Sequence, residues 1–297
     1  MKRKYLIVSI IVILLALVQG GLLVVLRPVN PVETVIKNND YLFSYTLDQE
    51  FFDDAYDQAG DVQLFSEKPY GVIVPHHLFV KGKLAAIFNS LGKFNYKRII
   101  ILSPNHFDRG YDNFISAEND WQTPYGAVVF DYNLYQRLNK KIPISSNKKA
   151  LTGEHGISGL IAFVKKSLPE AKIVPIMVMN NESSAMNAES LARAIEELTD
   201  KDTLVIASVD FSHEQNLTIS NQQDEISIRV LQKMDIDQVA DLKLDSPNSI
   251  KILLQYLKMR GVNQSRLIYH TNTSELLNQP AMPGTSHVFM VFFKNKE

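Results

Sequence analysis

The chain has 297 residues, enough for one large α/β core. Its 31 basic and 32 acidic side chains nearly cancel, and without a basic stripe interleaved with aromatics the sequence excludes nucleic acid as a partner. Cysteine is absent, which excludes thiolate metal sites and disulfides.

Residues 5–26 read YLIVSIIVILLALVQGGLLVVL, 22 residues without a charge, long enough at helical rise to span roughly 30 Å of hydrocarbon. Lys2, Arg3 and Lys4 precede this run and Arg27 alone follows it closely. The positive-inside bias then predicts a single-pass transmembrane helix with a cytoplasmic N-terminus and an extracytoplasmic C-terminal domain, the lipid bilayer being a partner through residues 5–26. A cleaved signal peptide is the competing reading, and either one exports the domain. The expected organisation is an anchor over 1–27, a stalk and peripheral segment over 28–69 with Asp53, Asp54, Asp57 and Asp61 among aromatics, and an α/β domain over 70–297.

The first core run is GVIVP (71–75), followed by a helical stretch near 82–91 and by RIIILS (98–103). These two runs read as neighbouring parallel strands. Further strands are expected at 171–179 and 203–209, separated by a helix over 185–199, and SHVFMVFF (286–293) closes the domain. A helix over 247–260 opens with Asp245, Ser246 and Pro247 and stops at Gly261, which places Asp245 at the helix entrance. Apolar runs alternating with helical patterns predict a mixed, largely parallel central sheet flanked by helices, to which the N-terminal transmembrane helix is added.

Ligands of open α/β sheets bind at the carboxyl ends of the strands. Three polar clusters sit at such ends: His76 with His77, Asn105 with His106, and Asp210 with His213. A lone histidine after a strand is usually structural, but three strands delivering histidine to one rim point to a site. Neutral imidazole binds divalent first-row metals, and a carboxylate adds the charge that retains them. Two histidines and a carboxylate suit Fe(II), Zn is chemically close, and ligand types alone do not choose between them.

The ordered segments VPHH (74–77), ILSPNHF (101–107), WQTPYGAVVFD (121–131), GEHGI (153–157), KIVPIMV (172–178) and SVDFSH (208–213) resemble the MEMO family (AmmeMemoRadiSam system protein B). That resemblance covers about residues 70–293 and implies a fold similar to class III extradiol dioxygenases. It also implies that His76 and His106 are metal ligands, that His213 is an acid/base or substrate-facing group, that Asp210 orients or supplements the site, and that Glu154 and His155 line the pocket. Where the family carries a cysteine as third ligand, the aligned position here is Asp245, five residues before Ile250. The family's further Glu and His after its Glu-His pair are replaced by Ser158 and Leu160, and its early His-Ala-Gly segment is missing.

The resulting expectation is a pocket of the two-histidine, one-carboxylate type in a metal-dependent, dioxygenase-like oxidoreductase acting on a small molecule, with Fe(II) favoured over Cu or Zn. The alternatives are a non-enzymatic metal-binding or peptide-binding module at the membrane and a zinc hydrolase with His213 or Glu154 as base.

Overall fold

The computed structural model describes residues 40–295. The segment before the main sheet contributes β1 (Leu42–Phe43) and α1 (Gln49–Ala59). Asp48 caps α1 by accepting the backbone N–H groups of Glu50 and Phe51, and Gly60 ends it at φ 63°. Phe52 and Ala55 are its buried residues, and Phe52 meets Phe163 edge to face at 5.2 Å. Next come β2 (Gly71–Val74), α2 (Lys81–Leu91), β3 (Arg98–Pro104), β4 (Phe114–Ser116), β5 (Trp121–Thr123) and β6 (Gly126–Val128). The middle of the chain forms α3 (Tyr132–Lys141), β7 (Ser145–Ser146), α4 (Lys148–Leu151), α5 (His155–Ser167), β8 (Lys172–Val178) and α6 (Glu182–Leu198). It ends with β9 (Thr203–Ser208), α7 (Leu217–Gln232), α8 (Pro247–Met259), β10 (Gln264–Asn272), α9 (Thr273–Leu276) and β11 (Ser286–Phe293).

Eight strands form the main sheet in the order β10, β11, β2, β9, β3, β8, β4, β7, and β1, β5 and β6 form a small second sheet. The centre is parallel: β2 pairs with β9, β9 with β3 and β3 with β8. The outer strands β11 and β10 run antiparallel, as does β4 against β8. Alternating side chains of the buried strands feed two apolar layers. Val72, Val74, Ile99 and Ile101 pack with Phe52 of α1, Leu84 and Phe88 of α2, and Ile161 of α5. Ile73, Ile100 and Leu102 pack on the opposite face with Leu134 of α3, Leu191 and Ile195 of α6, and Leu253 and Leu257 of α8.

Two expectations are corrected. The strands at Gly71–Val74 and Arg98–Pro104 are not neighbours, because β9 lies between them and pairs with both. A strand, helix, strand unit fixes relative direction and hand, not adjacency; the crossover through α2 skips one position, which β9 fills after the chain returns through α6. The second correction concerns the fold class and the localisation. The mixed α/β sheet with flanking helices is what the described residues form, without a transmembrane helix and without the single-pass membrane placement that rests on one. Among the described residues no helix is long and apolar enough to cross a membrane. The reason is visible in α6, which has 17 residues and sets Leu191, Ala192 and Ile195 on its buried side while carrying Glu189, Arg193, Glu196 and Glu197 elsewhere; a span needs about 20 predominantly apolar residues. The run at residues 5–26 lies outside the described residues.

Candidate metal centre

The crossovers through α2 and α6 traverse the sheet in opposite directions on opposite faces, so their strand ends enclose a crevice. Asp210 follows β9, the middle strand, while His76 and His106 follow its two neighbours β2 and β3. Asp245 arrives from the start of α8 and is locked to the same strand end: its backbone N–H donates to the Asp210 carbonyl at 3.2 Å, and its Oδ2 accepts the Asp210 N–H at 3.1 Å. Glu154 caps α5, accepting the Gly156 N–H at 2.9 Å. Gly156 must lack a side chain, since a Cβ there would stand 2.3 Å from Ser103 Oγ.

The Nε2 of His76 stands 3.3 Å from Asp245 Oδ2 and 3.5 Å from Asp210 Oδ2, and the Nε2 of His106 stands 3.7 Å from the same Asp245 oxygen. His155 stacks on His106 with ring centroids 3.8 Å apart. Donor atoms fall into two triads that share His76, one with His106 and His155 and one with Asp210 and Asp245, the atoms in each lying within 4.8 Å of one another. Asp245 Oδ2 links the two triads.

Hydrogen bonds assign the free nitrogens. The Ser208 hydroxyl donates to the Gly156 carbonyl at 2.5 Å, so its oxygen is left to accept from His76 Nδ1 at 3.1 Å. His76 therefore carries its proton on Nδ1 and turns the lone pair of Nε2 into the crevice. For His106, Nδ1 donates to Glu154 Oε1 at 2.6 Å and the backbone N–H to Glu154 Oε2 at 3.1 Å, again directing Nε2 inward. This is the carboxylate and histidine pairing that orients metal-binding imidazoles.

Two atoms have nothing to bond. His76 Nε2 and Asp245 Oδ1 are buried without a hydrogen-bond partner, a state that costs free energy unless another group satisfies them. Donors bonded to one ion at about 2.0–2.2 Å lie roughly 3–4 Å apart; Asp245 Oδ2 stands at such a distance from Nε2 of His76 and from Nε2 of His106, and imidazole with carboxylate suits a divalent metal.

The charges agree with that fit. Burial, reinforced by the imidazoles of His106 and His155, holds His76 well below its ordinary value and therefore neutral. Burial also disfavours the charged form of His106, but hydrogen bonds to Asp245 and Glu154 outweigh it and raise the imidazole to about 9. Burial raises the Asp245 carboxyl above the ordinary carboxylate range, opposed by His106 and reinforced by Asp210. Burial works against the Glu154 carboxylate too, yet the His106 hydrogen bond leaves it below its ordinary value. A divalent ion would take the place of the His106 Nε2 proton and offset the carboxylates.

The structure thus brings together His76, His106, Asp245, Asp210, Glu154 and His155. His213, three residues after Asp210, is exposed, and among the described residues it belongs to neither donor triad. His77 turns away, its Nδ1 meeting Nε2 of the buried His287 at 2.9 Å. Ser208 was not among the residues singled out in the sequence, although it opens the SVDFSH segment and its side chain fixes the His76 tautomer.

The profile of the family described as Memo-like protein matches residues 45–281. A MEMO1 family protein of Caldivirga maquilingensis is 25% identical over 217 residues, 69% of this chain and 76% of that one. Another, from Pyrobaculum arsenaticum, is 27% identical over 221 residues, 70% of this chain and 78% of its own length. The MEMO1 family protein SSO0066 of Saccharolobus solfataricus reaches 32% identity over a shorter 174 residues, 55% of this chain and 60% of that one. With the profile covering most of the chain, including His76, His106, Glu154, His155, Asp210 and Asp245, the chain belongs to the Memo-like protein family.

Proposed function

We propose that this Memo-like protein is a metal-dependent oxidoreductase acting on a small molecule, with Fe(II) held by His76 Nε2, His106 Nε2 and the Asp245 carboxylate. The observation that carries the reading is the pair of buried, unpartnered donors His76 Nε2 and Asp245 Oδ1 in one crevice. Two imidazoles and one carboxylate leave coordination positions open, an arrangement suited to iron and its oxygen chemistry.

The chain's own residues divide the remaining work. Glu154 fixes the His106 ring through Nδ1 and the backbone N–H. Ser208 fixes the His76 tautomer, and the Ser208 to Gly156 bond ties that histidine to the first turn of α5. Asp210 Oδ1 accepts the His76 backbone N–H at 3.2 Å and so holds the turn after β2 against the end of β9. His213 at the rim is the group placed to exchange protons between substrate and solvent, under the influence of Asp210.

Anaerobic reconstitution with Fe(II), followed by oxygen-electrode measurements with and without a panel of phenolic small molecules, tests the reading. Oxygen uptake that needs both iron and an added molecule supports it. Near-stoichiometric metal uptake with no consumption for any candidate would instead favour a metal-binding module.

A further inference from the structure

A cleft of about 810 Å³ is lined by Arg109, Gly110, Asn147, Lys148, Lys149 and Thr152. It adjoins the metal centre on two sides of the chain, since Arg109 lies in the turn just after His106 and Thr152 just before Glu154. A run of contacts connects them: the Arg109 guanidinium lies 4.4 Å from the Phe107 ring centroid, Phe107 meets His155 edge to face at 6.0 Å, and His155 stacks on His106. One aromatic ring and one imidazole therefore separate the guanidinium from a metal donor.

The cleft is cationic and its principal cation is held in place. None of its lining residues is a carboxylate. Lys148 is paired with Asp40, whereas among the described residues no carboxylate forms an ion pair with Arg109 or Lys149. Asn105 grips the Arg109 backbone from both sides, its Oδ1 accepting the N–H at 3.1 Å and its Nδ2 donating to the carbonyl at 2.8 Å. The guanidinium then spends one N–H on the Thr152 carbonyl, with Nη1 at 2.5 Å, and rests on Phe107. Its other N–H groups form a fork that matches the two oxygens of a carboxylate or phosphate, and a cation whose position is already fixed loses little freedom when it binds.

We propose that this cleft is an oxyanion subsite in which Arg109 and Lys149 seat the carboxylate or phosphate group of a small molecule. That the rest of the molecule reaches the metal centre rests on the function proposed above; the anion site itself does not. Calorimetric titration of the metal-free full chain in chelator, with inorganic phosphate and separately with acetate, tests it without any contribution from a bound ion. Saturable binding of at least one anion is expected, weakened by roughly tenfold in Arg109→Gln and by less in Lys149→Gln, unaffected by Lys233→Gln, and falling as salt rises. Whichever anion binds more tightly identifies the group the cleft prefers. Lys149 is exposed, so its variant keeps the test valid should Arg109→Gln disturb the fold. No saturable binding of either anion, or binding that neither substitution weakens, would overturn the subsite. Anion binding retained in His76→Ala alongside lost metal binding would separate the two sites experimentally.

Discussion

Glu154 holds His106 by two bonds at once, with Oε1 accepting from the ring Nδ1 at 2.6 Å and Oε2 from the backbone N–H at 3.1 Å. Side chain and main chain of one residue are fixed by one fully buried carboxylate, and the direction of Nε2 follows. Replacing Glu154 with Gln removes the charge and one of the acceptors while keeping the shape. Metal affinity, measured by chelator competition, is expected to fall by about 10–100-fold, the usual effect of losing such a partner. Unchanged affinity would show that His106 is oriented by something else.

Gly156 brings α5 against the strand end that carries His106. The missing Cβ would lie 2.3 Å from Ser103 Oγ, so Gly156→Ala is expected to destabilise the fold by about 1–3 kcal/mol in urea denaturation. Because the obstacle is a single hydroxyl, Ser103→Ala should recover part of the loss, appearing as coupling in a double-mutant cycle. Strict additivity would place the strain elsewhere.

Stability of the metal-free protein should depend on pH in two opposite ways. The His106 imidazole sits at about 9 against an ordinary 6.5, since the Asp245 and Glu154 carboxylates overcome the effect of burial. A raised folded value gives stability that is complete below 6.5 and lost as pH climbs through 9. For His287, burial lowers the value to about 4. As pH falls from 6.5 toward 4 the unfolded chain takes up a proton that the folded one refuses, and stability drops. Urea midpoints are therefore expected to decline on both sides of about 6.5, with His106→Gln flattening the alkaline limb and His287→Gln reducing the acid one. A midpoint constant between pH 6.5 and 9 would contradict the His106 assignment.

Helix α1 belongs to the packing that backs the site. Phe52 is fully buried and meets Phe163 of α5, while the Asp53 carboxylate receives the Tyr125 hydroxyl at 2.7 Å and pairs with Lys166. Phe52→Ala is expected to cost about 3–5 kcal/mol, measured by denaturant unfolding. A loss below 1 kcal/mol would mean that α1 merely rests on the surface.

Much of this was legible in the residues. The strands that carry His76, His106 and Asp210 are short apolar runs ended by polar residues, and Pro247 with Gly261 bounded α8 closely enough to put Asp245 at its entrance, as observed. The order of strands was not legible, because the position of β9 between β2 and β3 depends on how α6 packs across the sheet, and no local pattern encodes that. Nor was the role of Glu154. Its sequence neighbours mark a helix start, but its partner His106 is 48 residues away. The proton on His76 Nδ1 likewise depends on where the Ser208 hydroxyl points, which only the Gly156 carbonyl of another element determines.

The most direct test is metal content of the anaerobically purified protein and of His76→Ala, His106→Ala and Asp245→Ala, each confirmed as folded by circular dichroism. Near-stoichiometric metal in the wild type, lost in all three variants, is the expected result. A wild type that retains no metal and takes up none of Fe(II), Cu or Zn would contradict the account, and retention in Asp245→Ala alone would move the third donor to Asp210 or His155.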